Sequence, residues 1–157
     1  MAIDAVKEYF AQFDMTGRIV EFEGSSATVE LAAQALGVAS QRIAKTLSFR
    51  NHEGCLLVVA AGDAKVDNAK FKQNFGMKAR MLTPDEALQF TGHAVGGICP
   101  FAIPTDVPVY LDASLKRFST VFPACGSSNS CIELTLPELS TYANSDQWID
   151  VCKDWHE

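Results

Sequence analysis

The run Cys55-Leu56-Leu57-Val58-Val59-Ala60-Ala61 is apolar at every position. A strand with one wet face alternates polar and apolar side chains, so an unbroken run of this length reads as a strand covered on both faces. Such a strand needs a sheet at the centre of the molecule, with helices or loops on either side. Residues 43–49 read as a second strand, and Arg50, Asn51, His52, Glu53 and Gly54 between the two have the composition of a hairpin connection. Helical and strand patterns interleave irregularly along the rest of the chain. This predicts a mixed α/β (α+β) fold, a mixed sheet wrapped by helices, rather than a doubly wound parallel sheet.

Local signals place the other elements. Ile3, Val6, Phe10 and Phe13 recur at helical spacing, and Gly17 closes that helix. Residues 18–23 alternate as a half-buried strand. A helix follows Ser25 and Ser26, with Val29, Ala32, Ala33 and Leu36 as its apolar stripe and Gly37 as its stop. The basic stretch holding Lys65, Lys70, Lys72, Lys78 and Arg80 contains a helix ending near Phe75 and Gly76, then a short strand over 78–81. Thr83, Pro84 and Glu86 form a capping box with proline in the first helical position, which starts a helix running to Gly92. Thr135, Pro137 and Glu138 repeat the pattern for a last helix. Strands are predicted over 107–112, 119–124 and 131–136, and an edge strand over 147–153.

Composition narrows the setting. The 157 residues fit one domain, and 48% hydrophobic with 20% charged residues supports a sizeable core. No apolar run reaches the roughly 18 residues a membrane span needs, and the first eight residues lack the basic and apolar regions of a signal peptide. A cytoplasmic protein is expected. The five cysteines are odd in number, spread along the chain and contain no CxxC, which argues against a disulfide framework or a zinc site. They are expected as small core residues. A formal net charge of -6 disfavours indiscriminate nucleic-acid binding, yet the basic stretch offers a local face that can hold one strand of phosphates or serve as a solvated helix face.

The chemistry concentrates in Gly92-His93-Ala94-Val95-Gly96-Gly97-Ile98-Cys99-Pro100-Phe101. Its glycines expose backbone N–H groups in an apolar-walled turn, suited to a developing oxyanion, although an ordinary connecting loop has similar composition. Lys45 shares a strand face with Leu47 and Phe49. A lysine placed there either snorkels to water or anchors a phosphate or carboxylate. His93 and Cys99 invite a Cys–His nucleophile, but no third group is identifiable to orient the histidine. The small-residue loop Cys125-Gly126-Ser127-Ser128-Asn129-Ser130-Cys131 either lines a pocket or turns a hairpin. Nucleophile elbow, zinc-binding helix, P-loop and dinucleotide fingerprint are all missing from the sequence.

As a set, segments 28–37, 42–49, 91–101, 109–115 and 126–134 resemble the YbaK family, on Ala35-Leu36-Gly37, Arg42-Ile43-Ala44-Lys45-Thr46, the 92–101 loop, Tyr110-Leu111-Asp112 and Gly126-Ser127-Ser128-Asn129-Ser130. That family includes the editing domain inserted in bacterial prolyl-tRNA synthetases and its free-standing relatives. The resemblance spans nearly the whole chain, implying one domain over 1–157 with a central, largely antiparallel, partly barrel-like sheet surrounded by helices. It implies a free-standing trans-editing deacylase that hydrolyses the ester of mischarged tRNA, foremost tRNA(Pro) carrying alanine or cysteine. Lys45 matches the family's strand lysine, and 96–100 matches its GxxxP loop. The implied catalytic groups are Lys45 and the backbone of Gly96 and Gly97, acting on a water with help from the terminal ribose hydroxyl. The implied substrate contacts are Thr46, His93, Ile98, Pro100, Gly126 and Ser127, the last two limiting the aminoacyl side chain. Neither metal nor cofactor is implied. The implied partners are the acceptor end of the mischarged tRNA and prolyl-tRNA synthetase. Two other readings stay open: a non-catalytic module that binds tRNA or a synthetase, and a Cys–His hydrolase using Cys99 and His93.

Overall fold

A computed structural model describes residues 2–155; Met1, His156 and Glu157 lie outside the described residues. α1 (Ala2–Ala11) buries Val6 and Phe10. A 3₁₀ turn over Thr16–Arg18 leads into β1 (Ile19–Glu21). α2 (Val29–Leu36) starts where the Thr28 hydroxyl accepts the Leu31 N–H. β2 (Ile43–Arg50) and β3 (Cys55–Ala61) form the expected hairpin. β4 (Lys65–Val66), α3 (Asn68–Phe75), α4 (Pro84–Thr91), β5 (Val109–Asp112), β6 (Thr120–Pro123), β7 (Ser130–Ile132), β8 (Leu134–Thr135), α5 (Leu136–Tyr142), β9 (Trp148–Ile149) and β10 (Cys152–Lys153) follow. Both predicted capping boxes are present, at Thr83 with Glu86 and at Thr135 with Glu138; each such cap contributes about 1 kcal/mol to its helix.

β3 is buried along its whole length. It lies in a six-stranded mixed sheet of order β8-β6-β2-β3-β5-β9, curled into a half-barrel. β2 pairs antiparallel with β3 from Ala44 opposite Ala61 to Arg50 opposite Cys55. β5 and β6 lie parallel to β3 and β2. Two antiparallel ribbons, β1–β7 and β4–β10, complete the sheet structure, so four of the seven pairings among the described residues are antiparallel. Phe49 meets Phe71 of α3 and Phe10 of α1 meets Phe101, which covers the apolar strands with aromatic side chains. Each fully buried large apolar side chain of this kind contributes about 1.5–3 kcal/mol. None of the described helices is long and apolar enough to cross a membrane.

Several predicted elements are shorter than their patterns. α1 stops at Ala11, and Phe13 sits beyond it, 43% exposed, because the chain turns through Asp14 at φ 59. Segment 78–81 contributes one bridge, Met81 opposite Phe49, and no strand. Pro108 precedes β5 and offers only its carbonyl, to Leu57 N–H. Segment 131–136 splits at Glu133, because β7 pairs with β1 while β8 pairs with β6. Segment 147–153 splits as well: β9 joins β5, β10 joins β4, and between them Val151 N–H donates to the Asp112 carboxylate at 2.9 Å.

Candidate active site

Three segments converge beside β2. Gly92 ends α4 at φ 81 and delivers the chain into the glycine loop. Within the loop, Gly97 N–H donates to Ala94 O at 3.0 Å, closing a turn. Gly126 N–H donates to Gly97 O at 3.1 Å, which joins the two small-residue loops. The approach is close enough that a Cβ on Gly97 would stand 2.6 Å from Ser127 N. The third segment, before α2, is clipped to the same loop by Phe22 N–H on Asn129 O, Asn129 Nδ2 on Phe22 O and Ser26 N–H on Ser128 O.

These segments enclose a cavity of about 250 Å³. Lys45, Thr46, Gly96 and Ile98 all line it, with Phe122 and Ile43 among its apolar walls. The strand lysine and the glycine loop therefore face one space. Gly96 adopts φ +97, and its N–H has no partner among the described residues.

The lysine is held from behind. Lys45 Nζ donates to Gly62 O at 3.4 Å and to Ala64 O, leaving one of its three N–H groups unassigned. Between those carbonyls, Asp63 is gripped by the Arg117 fork, with Nη1 to Oδ2 at 2.9 Å and Nη2 to Oδ1 at 2.5 Å. Arg117 in turn lies over the rings of Phe118 and Trp155. Burial lowers the pKa of Lys45, and the nearby acids Asp63 and Glu30 act in the opposite sense. The Arg117 hydrogen bond holds the Asp63 carboxyl below the ordinary carboxylate range. Sequence reasoning missed this support. Its signal was Gly62-Asp63 directly after an all-apolar strand: a Cβ at Gly62 would lie 2.0 Å from Ser40 O, so only glycine fits.

The other residues singled out from the sequence occupy different places. His93 is 1% exposed, and its Nε2 lies 2.8 Å from Phe101 O. A carbonyl only accepts, so Nε2 carries the proton and cannot take one from Cys99, 3.5 Å away. The Cys99 thiol is fully buried and its pKa is pushed up to about 12 by desolvation, while burial also lowers that of His93. The pair is thus a neutral thiol beside a neutral imidazole, which removes the Cys–His nucleophile. His93 and Pro100 are buried and are not among the residues lining the cavity, and the His93 ring is hydrogen-bonded within its own loop. Gly97 is buried with its N–H committed to Ala94, so Gly96 has the open amide. Gly126 and Ser127 border a neighbouring depression, and the Ser127 hydroxyl engages Asn129 Oδ1 and Ser130 Oγ at 2.9 and 2.6 Å. All five cysteines are free and buried. The described residues contain no cluster of three or more His, Cys, Asp or Glu side chains that could hold a metal ion.

Comparison with known proteins identifies the family of this chain. Residues 23–142 match the family described as the aminoacyl-tRNA editing domain. The uncharacterized protein YwhH of Bacillus subtilis is 58% identical over 99% of both chains. EbsC of Enterococcus faecalis, named as a candidate Cys-tRNA(Pro)/Cys-tRNA(Cys) deacylase, is 28% identical over 79% of this chain and 76% of its own. The proline–tRNA ligase of Thermotoga maritima is 34% identical over 57% of this chain, a match that spans 15% of the ligase. A crystal structure described as a candidate trans-editing enzyme for prolyl tRNA synthetase superposes with a TM-score of 0.87 at 29% identity, covering 97% of each chain. With its family match running through β2, the glycine loop and the 126–131 loop, this chain belongs to the aminoacyl-tRNA editing domain family.

Proposed function

We propose that the protein is a trans-acting aminoacyl-tRNA deacylase that hydrolyses the ester of tRNA(Pro) mischarged with a small amino acid such as alanine or cysteine. The observation that carries this reading is a single cavity lined by both Lys45 and the open Gly96 amide, with no side-chain nucleophile available at Cys99. An aminoacyl ester is already activated, so positioning and charge stabilisation suffice for its hydrolysis.

In this mechanism the free N–H of Lys45 holds the ribose–phosphate end of the acceptor strand. The Gly96 N–H meets the ester carbonyl and stabilises the oxyanion that forms as water adds. The tetrahedral intermediate collapses by expelling the ribose oxygen, with the neighbouring ribose hydroxyl assisting proton transfer. The apolar walls limit the aminoacyl side chain, because a site that admits only small residues supplies the discrimination a synthetase pocket lacks. The β4–β10 ribbon sets Lys65 directly opposite Lys153, and Lys65 is close enough to Lys45 to lower its pKa. Like charges placed opposite each other repel, and a phosphate strand relieves that repulsion.

The test is a panel of tRNA(Pro) charged with labelled alanine, cysteine, serine or proline. Loss of label from a small non-cognate residue but not from proline supports the reading. Salt-sensitive tRNA binding with no ester loss on any member replaces it with a binding module that has no hydrolytic step.

A further inference from the structure

The cavity lies over a one-residue gap in the hydrogen-bond ladder of β2. On its outer edge, away from β3, Ala44 pairs with Pro123 of β6. Farther along that edge, Ser48 O accepts Leu82 N–H at 3.1 Å and Arg50 N–H donates to Arg80 O at 2.8 Å. Backbone groups of a strand alternate sides with period two, so the N–H and C=O of Thr46 point to this same edge. Neither has a partner among the described residues, and Thr46 lines the cavity there. The Thr46 hydroxyl is also buried without a partner. One residue thus leaves a donor and two acceptors unsatisfied against an apolar-walled space. Buried polar groups are otherwise almost always paired, so the gap calls for a ligand.

We propose that this gap is a binding subsite for the aminoacyl group itself, which docks as a one-residue strand on Thr46. The inference rests on the deacylase reading above and adds to it the atoms that recognise the substrate's amine. In a hydrogen-bonded antiparallel pair, two residues exchange N–H and C=O. An α-aminoacyl ester has the same two groups: its amine donates to Thr46 O and to the Thr46 hydroxyl, and its ester carbonyl accepts the Thr46 N–H. That amide then joins Gly96 N–H on the oxygen that becomes the oxyanion. The subsite selects for α-aminoacyl esters over simple acyl esters, a discrimination that the size of the cavity does not supply.

The experiment uses the full chain with two stable probes, 3′-deoxy-3′-(L-alanylamido)adenosine and its propionylamido counterpart, which lacks only the amine. Wild type is expected to bind the alanyl probe about tenfold more tightly, the worth of one charge-assisted hydrogen bond. The Thr46 amide proton should move downfield with the alanyl probe in an NMR titration. Thr46→Val is expected to narrow the difference several-fold and Thr46→Ser to keep it. Thr46→Val should also melt no lower than wild type, since the hydroxyl has no partner to lose. In a protein that still deacylates tRNA, equal binding of the probes, no binding of either, or an unmoved Thr46 amide overturns the subsite alone. If no probe shifts any amide and no mischarged tRNA is hydrolysed, the deacylase reading falls with it.

Discussion

Gly96 and Gly97 are neighbours with separate duties, and one methyl group placed on each distinguishes them. In Gly97→Ala the new Cβ would lie 2.6 Å from Ser127 N, 2.7 Å from Gly126 C and 2.9 Å from Ser127 C. These are backbone atoms, so the two loops must separate, and the Gly126 N–H to Gly97 O bond at 3.1 Å is lost. Overpacking together with one lost buried hydrogen bond costs about 2–4 kcal/mol. At about 2–4 °C per kcal/mol for a chain of this size, the melting temperature should fall by about 5–15 °C. In Gly96→Ala the Cβ is tight only against the Ala27 Cβ at 3.1 Å, with the Ser128 Cβ at 3.5 Å and the Ala27 Cα at 3.7 Å in ordinary contact, but φ +97 is strained for any L side chain. A left-handed backbone costs about 1–2 kcal/mol, so this variant should melt about 2–8 °C below wild type, a smaller loss than that of Gly97→Ala. Its damage should appear in the chemical step, because displacing an oxyanion donor costs about a hundredfold in rate. Thermal melts followed by tryptophan fluorescence and single-turnover deacylation of alanyl-tRNA(Pro) measure both effects. A Gly97→Ala protein that melts within about 2 °C of wild type would refute the tight seam between the loops.

Four further outcomes are expected. Lys45→Ala should lower deacylation about a hundredfold or more, and the wild-type rate should decline as pH rises through the lowered pKa of this ammonium, since the charged form holds the substrate. Cys99→Ser should keep most activity, and Cys99 should resist iodoacetamide at neutral pH, because its thiol pKa is about 12. Glu138 is hydrogen-bonded by Arg18 and by Thr135 N–H, which brings its pKa down from 4.5 to about 2. Its contribution to stability is therefore complete above about pH 4.5 and lost as the pH falls towards 2, so Glu138→Gln should flatten that acid limb in pH-dependent melts. Replacing both Lys65 and Lys153 with glutamate should raise KM for tRNA while sparing kcat, and should reduce the salt slope of tRNA binding by about two.

The features legible in the sequence are the local ones. Capping boxes depend on residues three positions apart, and the hairpin of β2 and β3 on a short polar connection between two apolar runs. Lys45 stood out because a charge interrupted an apolar face, and the family resemblance turned that anomaly into a candidate site. Nonlocal facts were hidden. The carbonyls that hold Lys45 come from Gly62 and Ala64, 17 and 19 residues away, and the fork behind them comes from Arg117. His93 and Cys99 look like a catalytic pair in one dimension. Only burial and the Phe101 carbonyl reveal a proton on the wrong nitrogen and a thiol that stays neutral. The split strands at Glu133 and near Val151 escaped notice because apolar periodicity continues through a change of partner. The Thr46 gap has no sequence signature, since it is defined by where β6 and the 80–82 segment leave the strand edge.

The clamp behind Lys45 has a practical consequence. Trp155 stacks on a guanidinium, that guanidinium grips Asp63, and the residues on either side of Asp63 supply the oxygens that hold the Lys45 ammonium. An indole at one end of this relay places an intrinsic optical probe three contacts from the candidate site. If ligand occupancy displaces the ammonium, Trp155 emission is expected to change on titration without any added dye, with Trp155→Phe as the blank that separates this signal from that of Trp148.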